Sequence, residues 1–379
     1  MRKYNFAAAL LVAVLLAGCG GGGSGGSQAP KISFTSQVSF GDSLSDVGSY
    51  AVSGVAAAGG GQFTVNITGA KNNWTELMAA QVGQQASSCA AVTGGYGSPT
   101  QTHNGCYAYG QGGARVTSDV GIGNTDGGYL TSGAYTGAMT LSVTRQIAAH
   151  LAAVGGSFSG NEVVYVLAGA NDILTQLGTY PVLLGAPYNM TSAQAMATVT
   201  AAVTTAANDL AALVAAPTTG IIAKGAKYVV VVNVPDVAST PFAAGAEAAS
   251  PGTKALIDLL VTTFNTQLKT QLANNANVLL VDAYTVNHDE VVNSAAYGLT
   301  NVTGTACNVA SGSWLATNFP NGSGSGSSLG CNAANPLSMT AGVTGDTHYL
   351  FADSVHPTPY GYLLLARLVS KDMLIKGWL

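Results

Sequence analysis

Two kinds of apolar segment alternate along most of the chain. Short runs rich in β-branched residues are typical of strands, and VVYVL and YVVVVNV are apolar on both faces, as in a sheet covered on both sides. Longer segments rich in Ala and Leu are typical of helices. The predicted strands are residues 37–40, 163–167, 228–234 and 278–281. The predicted helices are residues 74–81, 141–154, 191–215, 253–273 and 359–376.

This alternation predicts an α/β fold with a mostly parallel sheet. Two long stretches rich in Gly, Asn and Thr, residues 87–140 and 295–349, interrupt it. They are too long to be plain connections, so we expect insertions that shape a binding cleft. We expect residues 30–379 to form a single domain, which is an acceptable length for an α/β protein with insertions.

The first residues follow a different pattern. Arg2 and Lys3 precede an apolar stretch, residues 6–17, that is short for a membrane span and typical of a secretory signal. Leu16-Ala17-Gly18-Cys19 resembles the lipobox of bacterial lipoproteins. That resemblance implies a signal peptide over residues 1–18 and a lipid on Cys19.

A tether is expected to follow, because residues 19–29 contain GGGGSGGS, which has no side chains to pack. The expected location is the cell envelope, with the membrane contacted through the lipid anchor. Gly20 follows the cysteine where Asp favours inner-membrane retention in bacterial lipoproteins, so the outer membrane is the expected address. The alternative is an ordinary cleaved signal peptide, and the protein would then be secreted.

Charged residues make up only 8% of the chain, and its net charge is −4. No cluster of Lys and Arg occurs beyond the first residues, so nucleic acid is not an expected partner. Apart from Cys19 there are four cysteines, an even number that favours disulfides in an exported protein. Three pairings are possible, and the preferred one closes two local loops. The expected disulfides are Cys89–Cys106 and Cys307–Cys331; metal ligation is the alternative, but no CxxC or HxxxH spacing supports it.

Polar motifs stand near the ends of predicted strands, and active sites of open parallel sheets lie beyond the carboxyl ends of the strands. Ser43 lies in FGDSLSD after the first strand, and Asn171 lies in GAND after VVYVL. Asp353 and His356 share the loop DSVHPT before the last predicted helix. A glycine-rich run, GQGGARV at residues 110–116, could bring a backbone N–H close to a substrate.

In chain order the four blocks FGDSLSD, GGA, GAND and DSVHPT resemble those of the GDSL family of lipases and esterases, also called SGNH hydrolases. Three further runs strengthen the resemblance, which covers nearly all of residues 36–379: NWTEL, NVPD and PYGY. The resemblance implies a three-layer α/β/α sandwich with a flavodoxin-like sheet. The chain resembles the bacterial phospholipase or lecithinase group in particular.

The resemblance also implies roles for individual residues. Ser43 would be the nucleophile, His356 the general base, and Asp353 the residue that orients the imidazolium. The oxyanion hole would consist of the Ser43 N–H, the Gly113 N–H and the Asn171 side chain. Gly112 is the alternative to Gly113, because the sequence reads Gly-Gly at this block.

Other polar residues near the motifs are interpreted as structural. Asp42, Asp46 and Asp172 are expected to fix loops by accepting backbone N–H groups, and Arg115 is expected to form an ion pair. His150 is interpreted as a surface residue or a hydrogen-bonded core residue.

The expected function is ester hydrolysis through an acyl-enzyme, without metal or organic cofactor. The expected substrate is a lipid, phospholipid or lysophospholipid acyl ester. A short-chain carboxylesterase and a polysaccharide acetyl esterase are the alternatives within the same class. A non-catalytic surface binding lipoprotein is the alternative from another class. We expect a monomer.

Overall fold

The structure, a computed structural model, describes residues 32–131, 133–321 and 324–379. The predicted signal peptide, the lipidation site at Cys19 and the predicted tether lie outside the described residues. The strands are β1 (Ser36–Gly41), β2 (Val92–Gly95), β3 (Ser98–Thr102), β4 (Glu162–Leu167), β5 (Tyr228–Val232), β6 (Val278–Val281), β7 (Asn301–Thr305) and β8 (Tyr349–Phe351). The helices are α1 (Ser53–Ala57), α2 (Trp74–Gln81), α3 (Val143–Ala153), α4 (Ala170–Leu184), α5 (Ser192–Ala215), α6 (Pro241–Ala249), α7 (Thr253–Leu272), α8 (Ala283–Val292), α9 (Trp314–Asn318) and α10 (Pro359–Lys376).

The central sheet has the strand order β1-β4-β5-β6, and all its pairs are parallel. A short segment on the other side of β1 extends it. Ser39 N–H donates to the Tyr107 carbonyl at 3.0 Å, and Tyr109 N–H donates to the Ser39 carbonyl at 2.8 Å. Residues 107–109 therefore lie where a flavodoxin-like sheet has its second strand. The order in which the strands are connected therefore reverses between β1 and β4, and such a switch point is where these folds bind ligands.

Alternate strand residues point to opposite faces of the sheet. Both faces carry apolar side chains, and helices cover both of them. On one face Phe40, Val164 and Val231 belong to the larger apolar core, which includes side chains of α3, α4, α5 and α7. On the other face Tyr165 and Val232 belong to a second core with side chains of α2 and α10. The predicted three-layer α/β/α arrangement with a mostly parallel sheet is thus confirmed.

The helix α5 is long and apolar enough to span a membrane by length and composition. Val199, Val203 and Leu210 on this helix are fully buried in the larger core. These large apolar side chains of α5 therefore pack within the protein.

All five predicted helices match within two residues at each end, and α2 and α10 match fully. The helix α2 begins at a capping box in which Asn73 accepts the Thr75 N–H and Glu76 accepts the Asn73 N–H. The helix α4 was not predicted. It begins after Gly169, whose φ is 119°, and it contains Pro181. Asn171 therefore lies in the first turn of a helix.

Each long insertion contains one of the two expected disulfides. Cys89–Cys106 closes the insertion that holds the β2–β3 hairpin, and Cys307–Cys331 closes part of the other. In the second insertion β7 pairs in parallel with β8, the strand that leads directly to Asp353. The preferred cysteine pairing is confirmed.

Candidate active site

Ser43 lies just beyond the carboxyl end of β1, at the start of a 3-10 turn, Ser43–Ser45. The strand must end in glycine here, because a Cβ on Gly41 (φ 150°) would lie 2.0 Å from the Leu167 carbonyl oxygen. The buried Gln146 amide fixes this glycine by accepting its N–H and donating to its carbonyl, both at 2.8 Å. The position of Ser43 is therefore set by the sheet and by α3.

His356 and Asp353 come from the loop between β8 and α10. His356 Nε2 lies 2.8 Å from Ser43 Oγ, and His356 Nδ1 lies 2.8 Å from Asp353 Oδ2. The Ser43–His356 pair joins atoms from residues 313 positions apart in the sequence. The three side chains thus form one continuous hydrogen-bonded chain from carboxylate to hydroxyl.

Asp353 is buried and remains an effective acceptor. Burial alone would raise the pKa of its carboxyl, but the neighbouring His356 and several N–H donors hold that pKa well below its usual range. The donors include the Val355 N–H at 3.0 Å, the His356 N–H at 2.8 Å and the Ser328 N–H at 3.0 Å. Ser328 belongs to the second insertion, so this insertion contributes directly to the environment of the carboxylate.

Three candidate donors for an oxyanion lie on separate elements. Among the described residues, the N–H groups of Ser43 and Gly113 donate no hydrogen bond. The Gly112 N–H, by contrast, donates to Asp46 Oδ2 at 2.9 Å. Asn171 Nδ2 donates to the Ala114 carbonyl at 2.9 Å, which leaves one amide hydrogen for another acceptor. Of the two glycines, Gly113 therefore has the N–H available to a ligand.

Two buried carboxylates hold the glycine-rich loop, as the sequence led us to expect. Asp46 accepts the N–H groups of Gly48, Ser49 and Gly112, and burial raises its pKa to about 6 despite these bonds. Asp172 accepts the Val116 N–H and pairs with Arg115 Nε at 3.1 Å. Burial raises the pKa of Asp172, and Arg115 opposes that rise.

Asp42 fits the structural interpretation only in part. Its Oδ1 accepts the Leu44 N–H at 3.0 Å, whereas its Oδ2 has no hydrogen-bond partner among the described residues. Burial raises the pKa of this carboxyl to about 7.

The interpretation of His150 as a hydrogen-bonded core residue is wrong. The residue is buried on α3 with neither ring nitrogen hydrogen-bonded among the described residues. Four aromatic rings surround its imidazole: Phe40, Tyr107, Tyr109 and Phe158. Burial lowers the pKa of His150 to about 4, so its ring is a neutral part of the core.

One neighbour of the candidate triad was not anticipated from the sequence. The Phe63 ring lies against the His356 imidazole, with 4.9 Å between ring centroids. Phe63 stands in no motif of chemically reactive residues, so nothing in its sequence context marks it.

Comparisons with known proteins identify a family for most of the chain. A family model described as GDSL-like Lipase/Acylhydrolase matches residues 38–369, a span that includes all the residues of the hydrogen-bonded chain. No curated protein matches the sequence.

Proposed function

Because the chain belongs to the family of GDSL-like lipases and acylhydrolases, and is thus a hydrolase acting on esters, we propose that Ser43, His356 and Asp353 perform the hydrolysis. The observation that carries this proposal is the unbroken hydrogen-bond chain from Asp353 through His356 to Ser43 Oγ. In this arrangement the imidazole can accept the hydroxyl proton, while the carboxylate fixes its orientation and stabilises the imidazolium.

The proposed reaction has two halves. Ser43 Oγ attacks the ester carbonyl carbon as its proton passes to His356 Nε2; the tetrahedral intermediate collapses, and the leaving alcohol takes that proton. Water then gives a proton to the same nitrogen and attacks the acyl-enzyme. The carboxylic acid departs as the proton returns to Ser43 Oγ.

We assign the oxyanion hole to the Ser43 N–H, the Gly113 N–H and the Asn171 amide. The availability of the first two donors, and the use of the Gly112 N–H by Asp46, support this choice. Losing one such donor typically lowers turnover by roughly 10²–10³-fold, so the amide of Asn171 should matter mainly to the rate.

For the substrate we propose a lipid, phospholipid or lysophospholipid acyl ester. The support is the lipobox-like LAGC at residues 16–19, which suits an enzyme anchored at the outer membrane. A short-chain carboxylesterase and a polysaccharide acetyl esterase are the competing substrate assignments.

The first experiment compares Ser43→Ala with Ser45→Ala on p-nitrophenyl esters. Ser45 is a matched control, since it lies in the same turn and its hydroxyl has no hydrogen-bond partner among the described residues. We expect Ser43→Ala to abolish hydrolysis and labelling by a fluorophosphonate, and Ser45→Ala to retain both. If folded Ser43→Ala hydrolysed the esters at the wild-type rate, the assignment would be refuted.

The second experiment separates the substrate classes. Rates are compared on acetyl, octanoyl and palmitoyl esters, lysophosphatidylcholine and acetylated xylan. The proposal expects the long acyl chains and lysophosphatidylcholine to be preferred. Exclusive activity on acetylated xylan would replace it with the polysaccharide assignment.

A further inference from the structure

A row of aromatic rings leads away from the imidazole of His356. The Phe63 ring is 4.9 Å from it, the Tyr50 ring is 6.1 Å from Phe63, and the Tyr96 ring is 5.4 Å from Tyr50. The two contacts of Tyr50 are edge-to-face, at 88° and 75°. This geometry is favourable for aromatic pairs, so the rings support one another in their positions.

The middle of the row is fixed to the glycine-rich loop. Tyr50 is fully buried, and its hydroxyl donates to the Gly112 carbonyl at 2.8 Å and accepts the Thr140 N–H at 3.2 Å. A Cβ on Gly112 would lie 2.2 Å from Phe63 Cε2, which shows that this ring covers the glycine. Phe63 is only partly buried. It therefore contacts both the His356 loop and the Gly112–Gly113 loop and still has surface to offer to a substrate.

The far end of the row is held in an unusual backbone conformation. Tyr96 and Gly97 form the tip of the β2–β3 hairpin with φ values of 50° and 81°. A bulky residue at positive φ is uncommon and persists only where its surroundings impose it. Tyr96 is 43% exposed, yet burial, with a contribution from Asp46, raises the pKa of its hydroxyl to about 12. With 43% of its surface exposed, part of the Tyr96 side chain remains open to solvent.

We propose that Phe63 and Tyr96 form the apolar wall of a substrate subsite that takes a hydrocarbon portion of the ester. This inference rests on the proposed function, because it places the subsite beside Ser43. A sugar would need polar side chains next to the rings to bind its hydroxyls. The Phe63 side chain carries no polar atom, and the Tyr50 hydroxyl is already bonded to Gly112 and Thr140. An acyl or alkyl chain requires only the apolar surface.

The test uses two substrate series and three alanine variants. One series varies the acyl chain of p-nitrophenyl esters from acetyl to palmitoyl, and the other varies the alcohol of acetate esters from methyl to octyl. The variants are Phe63→Ala, Tyr96→Ala and the control Tyr188→Ala, an exposed tyrosine between α4 and α5. Phe63→Leu is a milder fourth variant that retains apolar volume.

We expect Phe63→Ala to lower kcat/KM for octanoyl or octyl esters on the order of tenfold more than for the two-carbon or one-carbon members. The series that shows the change tells whether the wall binds the acyl chain or the alcohol. Tyr96→Ala should act in the same direction on the longest chains. Phe63→Leu should show a smaller effect, and Tyr188→Ala should leave the chain-length profile unchanged.

Equal losses on all esters in both Phe63 variants, or a selective loss on acetylated xylan, would overturn the subsite. Fluorophosphonate labelling separates this outcome from failure of the proposed function. If the wild type and the variants are labelled but their chain-length profiles coincide, only the subsite is refuted. If the wild type is not labelled, the proposed role of Ser43 is refuted as well.

Discussion

Removing the Cys307–Cys331 disulfide should lower turnover much more than removing Cys89–Cys106. The reason is the position of Ser328, whose N–H donates to Asp353 Oδ2 at 3.0 Å. Cys331 follows the turn that begins at Ser328, and Cys307 N–H donates to the Ala352 carbonyl, one residue before Asp353, at 2.9 Å. The disulfide therefore ties together the two segments that flank the carboxylate.

The two disulfides are matched in their effect on stability. They close sequence separations of 24 and 17 residues, for which loop entropy gives about 3.4 and about 3.1 kcal/mol. A hydrogen bond to a charged group contributes about 1.5–3 kcal/mol. If losing the Ser328–Asp353 hydrogen bond raises the activation free energy by this amount, turnover should fall roughly 10–100-fold in the Cys307→Ser/Cys331→Ser variant. Cys89–Cys106 contacts neither Ser328 nor Asp353, so its removal should leave turnover within about threefold.

The assay measures kcat and KM with p-nitrophenyl acetate for both double serine variants, at a temperature well below their melting points. Thermal unfolding of each variant checks that the destabilisation is similar. We expect kcat to fall only in the Cys307/Cys331 variant, with KM nearly unchanged. Equal kcat values for two folded variants would refute the idea that this disulfide positions the donor to Asp353.

Three other substitutions test separate parts of the structure. Asn171→Ala should lower kcat roughly 10²–10³-fold with little change in KM; a change mainly in KM would misplace its oxyanion role. His150 has a folded pKa of about 4 and an ordinary value of 6.5, so the unfolded state binds its proton first as the pH falls. The free energy of unfolding should therefore decrease by up to about 3 kcal/mol between pH 7 and pH 4. His150→Phe should remove this pH dependence, as measured by urea titrations at several pH values. An unchanged pH dependence would refute the interpretation of His150 as a neutral core residue. Gly41→Ala should cost about 3 kcal/mol in the free energy of unfolding, because its Cβ would lie 2.0 Å from the Leu167 oxygen, whereas Gly54→Ala, with open space around it, should be nearly neutral. Equal stabilities of the two alanine variants would contradict that steric argument.

The framework was predictable because its signals are local. The runs VVYVL and YVVVVNV are apolar on both faces, which a sheet covered on both sides requires, and β4 and β5 form there. The motif residues could be placed at one edge because parallel strands end there together. The helix α4 was missed because its N-cap is Gly169 and Pro181 lies inside it, and both residues normally indicate breaks in a helix.

Other features of the site depend on contacts that leave no mark in the sequence. The Ser328 contribution is a backbone N–H, which every residue except proline has, so its partner could not be inferred from residue type. Phe63 is one aromatic residue in a loop, and only the folded chain brings it to His356. His150 was misinterpreted because its cage combines side chains from β1, residues 107–109 and residue 158, which lie far apart in the sequence.

The 313-residue separation between Ser43 and His356 also bears on when activity can arise during synthesis. The strand β1 needs only β4 to begin the sheet, and their register runs from Ser36 opposite Glu162 to Gly41 opposite Leu167. A nascent chain can thus build the nucleophile's scaffold long before the residues of the last loop emerge from the ribosome. On the proposed mechanism, a product that stops before residue 356 could be folded in its first half and still be inert. Hydrolysis would then report that the final loop has been made and docked, and the cell would carry no active fragment of an enzyme that attacks esters.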